Sequence, residues 1–293
     1  MSFITAKTRV IGIIGDPIGH TRSPAMHNAA LEELGLDGVY VAFHVSPARL
    51  RDAVRAVRAL DLAGLNVTVP HKERILPMLD DVTSRARLIG AVNTVYRRRD
   101  ELHGDNTDAT GFLRALKDVG FRPRRRRALV VGAGGAARAV VAALHEAGAG
   151  QIVVVNRSSG RRRSLAAHFA RAFVTVETAD LDLLTDEKAL SRLDIIVNTT
   201  SVGWHDEKFP DLSYAATPGA CLFHDLIYGR NTDFLARAQR LGRPTLDGLS
   251  MLLHQGAAAF SLWTGQSAPL DVMSRALRQH PVSLLPLSSR DKS

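Results

Sequence analysis

The residues best placed to do chemistry lie in short polar clusters that interrupt apolar runs, at strand ends where α/β proteins build their sites. Thr21-Arg22-Ser23 precedes a helix start. Two hydroxyls and free helix N–H groups there make a pocket for a carboxylate, although simple capping by Ser23 would use the same residue and is compatible with it. In Asn66-Val67-Thr68-Val69-Pro70-His71-Lys72 the alternation puts Asn66 and Thr68 on one face of a strand, with Lys72 just past it. Asn93 sits inside the apolar run Gly90-Ala91-Val92-Asn93-Thr94-Val95, and Gly104-Asp105-Asn106-Thr107-Asp108 ends at a helix start. Taken singly, Lys72 reads equally as a surface lysine and Asp108 as a charge favoured by a helix N-terminus. All of them together, in one order, weaken those plainer readings.

A second signal concerns a bound dinucleotide. Gly132-x-Gly134-x-x-Ala137 lies between the apolar strand Ala128-Leu129-Val130-Val131 and an Ala-rich helix running to His145. Gly132 permits the tight turn, Gly134 lets backbone approach a pyrophosphate, and Ala137 lets helix and strand pack closely. The helix N-terminus offers its free N–H groups to the phosphates. A tight turn that binds nothing is the alternative. The next strand ends in Asn156-Arg157-Ser158-Ser159-Gly160-Arg161. An NAD site usually has a carboxylate there for the ribose hydroxyls. Here no carboxylate would repel a 2′-phosphate, and two guanidiniums can pair with one, so NADP is favoured over NAD unless this is only a solvated basic loop.

The elements that must position these groups alternate strand and helix, which argues an α/β chain with parallel sheets. Strands are expected at 10–15, 39–45, 64–70 and 92–96, with helices opening at Ser23-Pro24 and spanning 48–60. The pattern then restarts, with strands at 128–131, 151–155, 194–198 and 220–224. A second domain is therefore placed at 107–246, followed by helices at 249–263 and 270–280 and a frayed tail from Pro281. At 45% hydrophobic and 23% charged residues the 293-residue chain is neither disordered nor fibrous. No apolar stretch approaches the roughly 18 residues of a membrane span, and the start has no signal-peptide h-region. One cysteine, Cys221, makes no internal disulfide and no Cys-based zinc site, and fits a reducing cytoplasm. No metal is called for. The formal net charge of +9 raises nucleic acid as a partner. The dense run Arg122-Pro123-Arg124-Arg125-Arg126-Arg127 lacks interleaved aromatic residues, though, and reads as a solvated loop, so no nucleic-acid partner is expected.

The order of these stretches resembles the shikimate dehydrogenase family. The resemblance rests on Pro17 to Asn28, Asn66 to Lys72, Gly90 to Thr94, Gly104 to Asp108 with Gly111-Phe112, and the glycine loop. Asn198 to Gly203, Asp225-Leu226-Ile227-Tyr228 and Asp247 to Gln255 continue it. It covers about residues 12–263, and the Ser-Pro-x-x-His-Asn, Asn-Val-Thr-x-Pro-x-Lys and Asp-Asn-Thr-Asp motifs together are specific. It implies an α/β substrate-binding domain, 1–106, completed by C-terminal helices, 247–293, and a Rossmann-type NADP-binding domain, 107–246, with a cleft between. By motif, Thr21, Ser23 and Tyr228 would hold a substrate carboxylate, and Thr68, Asn93, Asp108 and Gln255 would bind ring hydroxyls or the nearby rim. Lys72 would be the acid/base residue, paired with Asp108. Gly132, Ala133, Gly134, Gly135, Ala136, Asn156, Arg157, Ser158 and Arg161 would hold NADP, with Leu226 and Gly248 on the nicotinamide side. The implied reaction is reversible NADPH-dependent reduction of 3-dehydroshikimate to shikimate in aromatic amino acid biosynthesis, by a cytoplasmic monomer or homodimer. A quinate/shikimate dehydrogenase and a non-catalytic NADP-binding sensor on the same fold are the competing readings. The chain departs from the usual family pattern at Thr21 (commonly serine), Trp204 (commonly methionine), Gly229-Arg230-Asn231 and Ser250 (commonly glycine).

Overall fold

The computed structural model describes residues 4–205 and 207–279; the frayed tail expected from Pro281 lies outside them. The first half contains β1 (Arg9–Gly15), α1 (Ser23–Glu33), β2 (Gly38–His44), α2 (Leu50–Ala59), β3 (Gly64–Val67), β4 (Asp81–Val82), α3 (Ser84–Ile89), β5 (Thr94–Arg98) and β6 (Glu101–Asp105). The second contains α4 (Asp108–Asp118), β7 (Arg127–Val131), α5 (Gly135–Glu146), β8 (Gln151–Val155), α6 (Ser159–Ala170), β9 (Glu177–Ala179), α7 (Glu187–Leu190), β10 (Ile195–Asn198), β11 (Leu222–Asp225), α8 (Asp233–Arg240) and β12 (Thr245–Leu246). The helices α9 (Leu249–Thr264) and α10 (Leu270–Gln279) close the described chain.

The strands form two six-stranded sheets, β2-β1-β3-β5-β6-β4 and β12-β11-β10-β7-β8-β9. The second is parallel throughout. Counted along the chain its order is that of a doubly wound dinucleotide-binding sheet, whose order reverses between β7 and β10. The first is mixed, because β5 runs antiparallel to both β3 and β6. This corrects the expectation of parallel sheets. Arg99, at positive φ, turns the chain straight back from β5 into β6, so no crossover helix intervenes.

Local chemistry accounts for the elements. Leu50, Val54 and Val57 form the buried stripe of α2, with its arginines outward. Thr83 caps α3, accepting from the Ala86 N–H at 3.2 Å, and Gly90 ends it at φ +72°. Ser23 does not cap α1: it is the first helical residue, after Arg22. The arginine run leads into β7, where the Arg126 guanidinium bonds Asp194 at 2.7 Å. Met26, Tyr40, Phe260, Trp263 and Met273 form one core cluster, so α9 and α10 pack on the first sheet, and the Trp263 indole N–H donates to the Val95 carbonyl at 2.9 Å. Ala109, Phe112, Ala115 and Leu116 of α4 pack with β7 and α5 of the second. The pair α4–α9 therefore joins the two halves.

Candidate active site

Between the two sheets lies a cleft of about 340 Å³. Thr21, Ser23, Thr68, Lys72, Asn93, Asp108, Tyr228 and Gln255 all line it, as do Ala136, Leu226 and Gly248. At its centre the Lys72 ammonium donates to the Asp108 carboxylate at 2.5 Å, with the side chains only 14% and 6% exposed. The surface-lysine reading of Lys72 thus fails, and Asp108 does more than charge the N-terminus of α4. Lys72 is held by its backbone: the Val92 N–H donates to its carbonyl at 2.8 Å. Beside it the buried His71 ring bonds the Val45 carbonyl at 2.7 Å.

Asn93 organises the other side of Asp108. Its amide N–H₂ donates to Asp108 Oδ1 at 2.8 Å, Thr107 Oγ1 at 2.9 Å and Gln255 Oε1 at 3.3 Å. Its carbonyl oxygen accepts from the Thr107 N–H at 2.7 Å. Asn93 lies one residue before β5, with its backbone still bonded to Val67 at 2.8 Å and Asp105 at 3.1 Å, and its side chain lines the cleft. Thr68 likewise falls one residue past β3. Asn66, which sequence reasoning placed beside Thr68 but gave no role, also lines the cleft. It accepts from the Tyr40 hydroxyl at 2.7 Å and donates to the Asn93 backbone carbonyl at 3.0 Å, so it braces the Asn93 backbone. His20 and Thr199-Thr200-Ser201, within the family-like stretches but without an expected role, also line the cleft, after β1 and β10.

At the far wall Tyr228 follows a hydrogen-bonded turn. The fully buried Asp225 carboxylate accepts from the Ile227 N–H at 3.0 Å, Asn198 Nδ2 at 3.0 Å and the Thr232 hydroxyl at 2.6 Å. Burial pushes its carboxyl up to about 6 against those donors. Burial also raises the Tyr228 hydroxyl above its ordinary value, so at neutral pH it is a donor. Cys221 is buried, and burial pushes its thiol up to about 12.

The residues fit a dinucleotide. Gly132, at φ +118°, sits at the switch point against Thr199, whose Oγ1 an added Cβ would approach to 2.3 Å. A Cβ on Gly134 would meet nothing within 4 Å, which leaves the start of α5 open to a ligand. Gly135 lies against Lys72, where an added Cβ would come within 3.0 Å of the lysine Cβ, so the phosphate loop and the lysine side chain adjoin. Asn156, Arg157, Ser158 and Arg161 stand away from the cleft lining, at the end of β8 and the start of α6, where Ser158 caps the helix by accepting from the Arg161 N–H. Arg157 and Arg161 are exposed, and no carboxylate lies within 4 Å of either among the described residues. The neighbouring Arg162 is instead consumed structurally, by Asp180 and the Asn156 carbonyl. Among the described residues no group of three or more His, Cys, Asp or Glu could hold a metal ion, and no helix is long and apolar enough to cross a membrane.

Comparison with known proteins agrees with this geometry. The family description "Shikimate dehydrogenase substrate binding domain" matches residues 13–95, "Shikimate / quinate 5-dehydrogenase" matches 115–231, and "Shikimate 5'-dehydrogenase C-terminal domain" matches 248–278. A shikimate dehydrogenase (NADP(+)) of Geobacter metallireducens is 46% identical over 276 residues, covering 93% of this chain and 96% of its own. A solved shikimate dehydrogenase in complex with NADP+ superposes with a TM-score of 0.87 at 37% identity, covering 95% of this chain and 97% of its own. The Thermus thermophilus shikimate 5-dehydrogenase, solved with NADP(H) and shikimate, gives 0.82 at 40% identity, covering 93% and 99%. With an ammonium–carboxylate pair beside a dinucleotide loop and relatives matched over nearly its whole length, this chain belongs to the shikimate dehydrogenase family.

Proposed function

We propose that the chain catalyses the reversible NADPH-dependent reduction of 3-dehydroshikimate to shikimate, a step of aromatic amino acid biosynthesis. The observation that carries this reading is the 2.5 Å Lys72–Asp108 contact in the cleft, against the glycine loop. Reducing a ketone needs hydride at carbon and a proton at oxygen. NADPH, when bound, supplies the hydride. The Lys72 ammonium stabilises the developing alkoxide and gives it a proton. Asp108 orients that ammonium and accepts a ring hydroxyl, while Asn93 fixes the carboxylate. Thr21, Ser23 and Tyr228 present hydroxyls to the substrate carboxylate, and Thr68, Asn93 and Gln255 face the ring hydroxyls. The loop Gly132-Ala133-Gly134-Gly135-Ala136 receives the pyrophosphate, and Asn156, Arg157, Ser158 and Arg161 the 2′-phosphate end. Leu226 and Gly248 border the nicotinamide.

On this reading residues 1–106 with 247–293 form the substrate domain and 107–246 the NADP domain, in a cytoplasmic monomer or homodimer. Two exposed arginines and no carboxylate directly after β8 favour NADP over NAD, and an intact proton-transfer pair speaks against a sensor. Absorbance assays of shikimate and quinate, each with NADP+ and NAD+, test the proposal. Shikimate with NADP+ is expected to give the highest kcat/KM. No turnover with any pair would refute it.

A further inference from the structure

We propose that Trp204 sets the size limit at the carboxylate end of the cleft, as an aromatic wall in contact with both halves of the protein. This deepens the carbonyl-reduction reading above and rests on it. The Trp204 indole lines the cleft, from the loop that follows β10. It meets Tyr228 edge-on, with ring centroids 5.5 Å apart and planes at 78°, and His20 in the same way at 5.9 Å and 68°. Both are favourable aromatic geometries. His20 immediately precedes Thr21 in the loop between β1 and α1, and Tyr228 follows β11, so one side chain spans the cleft beside the hydroxyls assigned to the carboxylate.

The loop carrying the indole is pinned from two directions. The Glu207 carboxylate accepts from the N–H groups of Gly203 at 3.0 Å and His205 at 2.8 Å. The Arg230 guanidinium donates to the carbonyls of Gly203, at 3.3 Å, and Trp204. Arg230 lies two residues beyond Tyr228, so this contact ties the indole-bearing loop to the segment that carries the phenol. A large side chain with few rotatable bonds, on a backbone so held, excludes volume at little entropic cost. The carboxylate-bearing ring carbon of shikimate is trigonal and flat. In quinate that carbon is tetrahedral and carries an added hydroxyl, which the wall would meet. Rejection by a rigid surface adds to the weak discrimination that a hydrophobic pocket alone achieves against an extra hydroxyl.

The test compares wild type with Trp204→Ala, Trp204→Met and Trp204→Phe, measuring kcat and KM separately for shikimate and quinate with NADP+, and quinate as a competitive inhibitor where its turnover is undetectable. Trp204→Ala is expected to raise KM for shikimate about tenfold, with kcat changed less than about threefold, and to raise the quinate-to-shikimate preference about tenfold. Trp204→Phe should restore most of both, and Trp204→Met should fall between. The only other tryptophan is Trp263, buried in the core. Shikimate should therefore change the intrinsic fluorescence of the wild type and not of Trp204→Phe. An unaltered preference in Trp204→Ala, or in Trp204→Met should the alanine variant melt early, would overturn the proposal. Absence of wild-type turnover with both substrates would instead overturn the functional reading, while unchanged wild-type fluorescence on adding shikimate would remove Trp204 from the binding site.

Discussion

At the scale of single residues, the site is an argument about where charges can sit. An ammonium and a carboxylate buried together lose hydration, and the loss is offset only when the pair is close and its remaining lone pairs are satisfied. Lys72 and Asp108 meet both conditions, since Asn93 supplies the second donor to Asp108. These residues were legible from motif order, but Asn66 and Asn93 gave no sign of which atoms they brace, because those partners come from elements distant in sequence: Tyr40 on β2 for Asn66, and the start of α4 and Gln255 on α9 for Asn93. Arg157 and Arg161 present the opposite case, cations in solvent with no acidic partner among the described residues. Hydrogen bonds to charged groups contribute about 1.5–3 kcal/mol each, so Arg157→Ala should raise KM for NADP+ by about 10- to 100-fold and leave KM for NAD+ within about threefold. Equal effects on both cofactors would mean that the arginine does not read the 2′-phosphate.

At the scale of elements, one close approach governs the geometry. An added Cβ on Gly111 of α4 would come within 2.7 Å of the Met251 carbonyl and 2.8 Å of the Gln255 Cβ on α9. The two helices touch there because position 111 has no side chain. Asp108 stands one turn before the contact and Gln255 is part of it, so the joint sets their separation. Ser250 reinforces it: its hydroxyl donates to Asp118 at 2.5 Å, alongside the His254 ring at 2.9 Å. Gly111→Ala is expected to cost about 1–3 kcal/mol in urea unfolding and to lower kcat along with it. Wild-type stability and kcat in that variant would mean the contact is slack. Sequence patterning found the central strands and the helices α1, α2, α5, α9 and α10, and missed α3, α8 and the short strands β4, β9 and β12 as well as β6. In Glu101-Leu102-His103-Gly104-Asp105 one inward position is Gly104, which packs against Leu79, Val82 and Val92 and so carries no hydropathy signal.

Across the whole molecule, the two sheets are bridged by α4 and α9, by the Arg138–Glu73 ion pair at 3.2 Å, and by the His168 ring on the Leu88 carbonyl at 2.8 Å. The restart of the strand–helix pattern made the second sheet readable, since an all-parallel buried sheet announces itself in apolar runs. The reversal at β5 was invisible because a tight turn and a crossover differ by geometry that strand composition does not encode. Each half also buries a histidine. Burial lowers His27 and His224 to about 3, and neither ring nitrogen of either has a hydrogen-bond partner among the described residues. His224 lies flat on Phe112 of α4, with centroids 5.3 Å apart. Because the folded-state value lies below the unfolded one, the stability tied to a neutral His224 is fully present above about pH 6.5 and is lost as pH falls towards about 3. His224→Phe keeps the stack and removes the proton site. Because His27 still titrates in both proteins, the melting temperature of the variant should fall less than that of the wild type between about pH 7 and about pH 4, with a difference growing by up to about 1.4 kcal/mol per pH unit. Parallel curves for the two proteins would contradict this.

In the proposed reaction Lys72 moves the proton at the carbonyl oxygen. The most direct measurement is kcat for shikimate oxidation by NADP+ in Lys72→Met, set beside shikimate affinity from equilibrium titration of the same variant. A fall in kcat of about 10²- to 10⁴-fold is expected, with affinity changed less than about tenfold. Turnover within a few fold of wild type would contradict it.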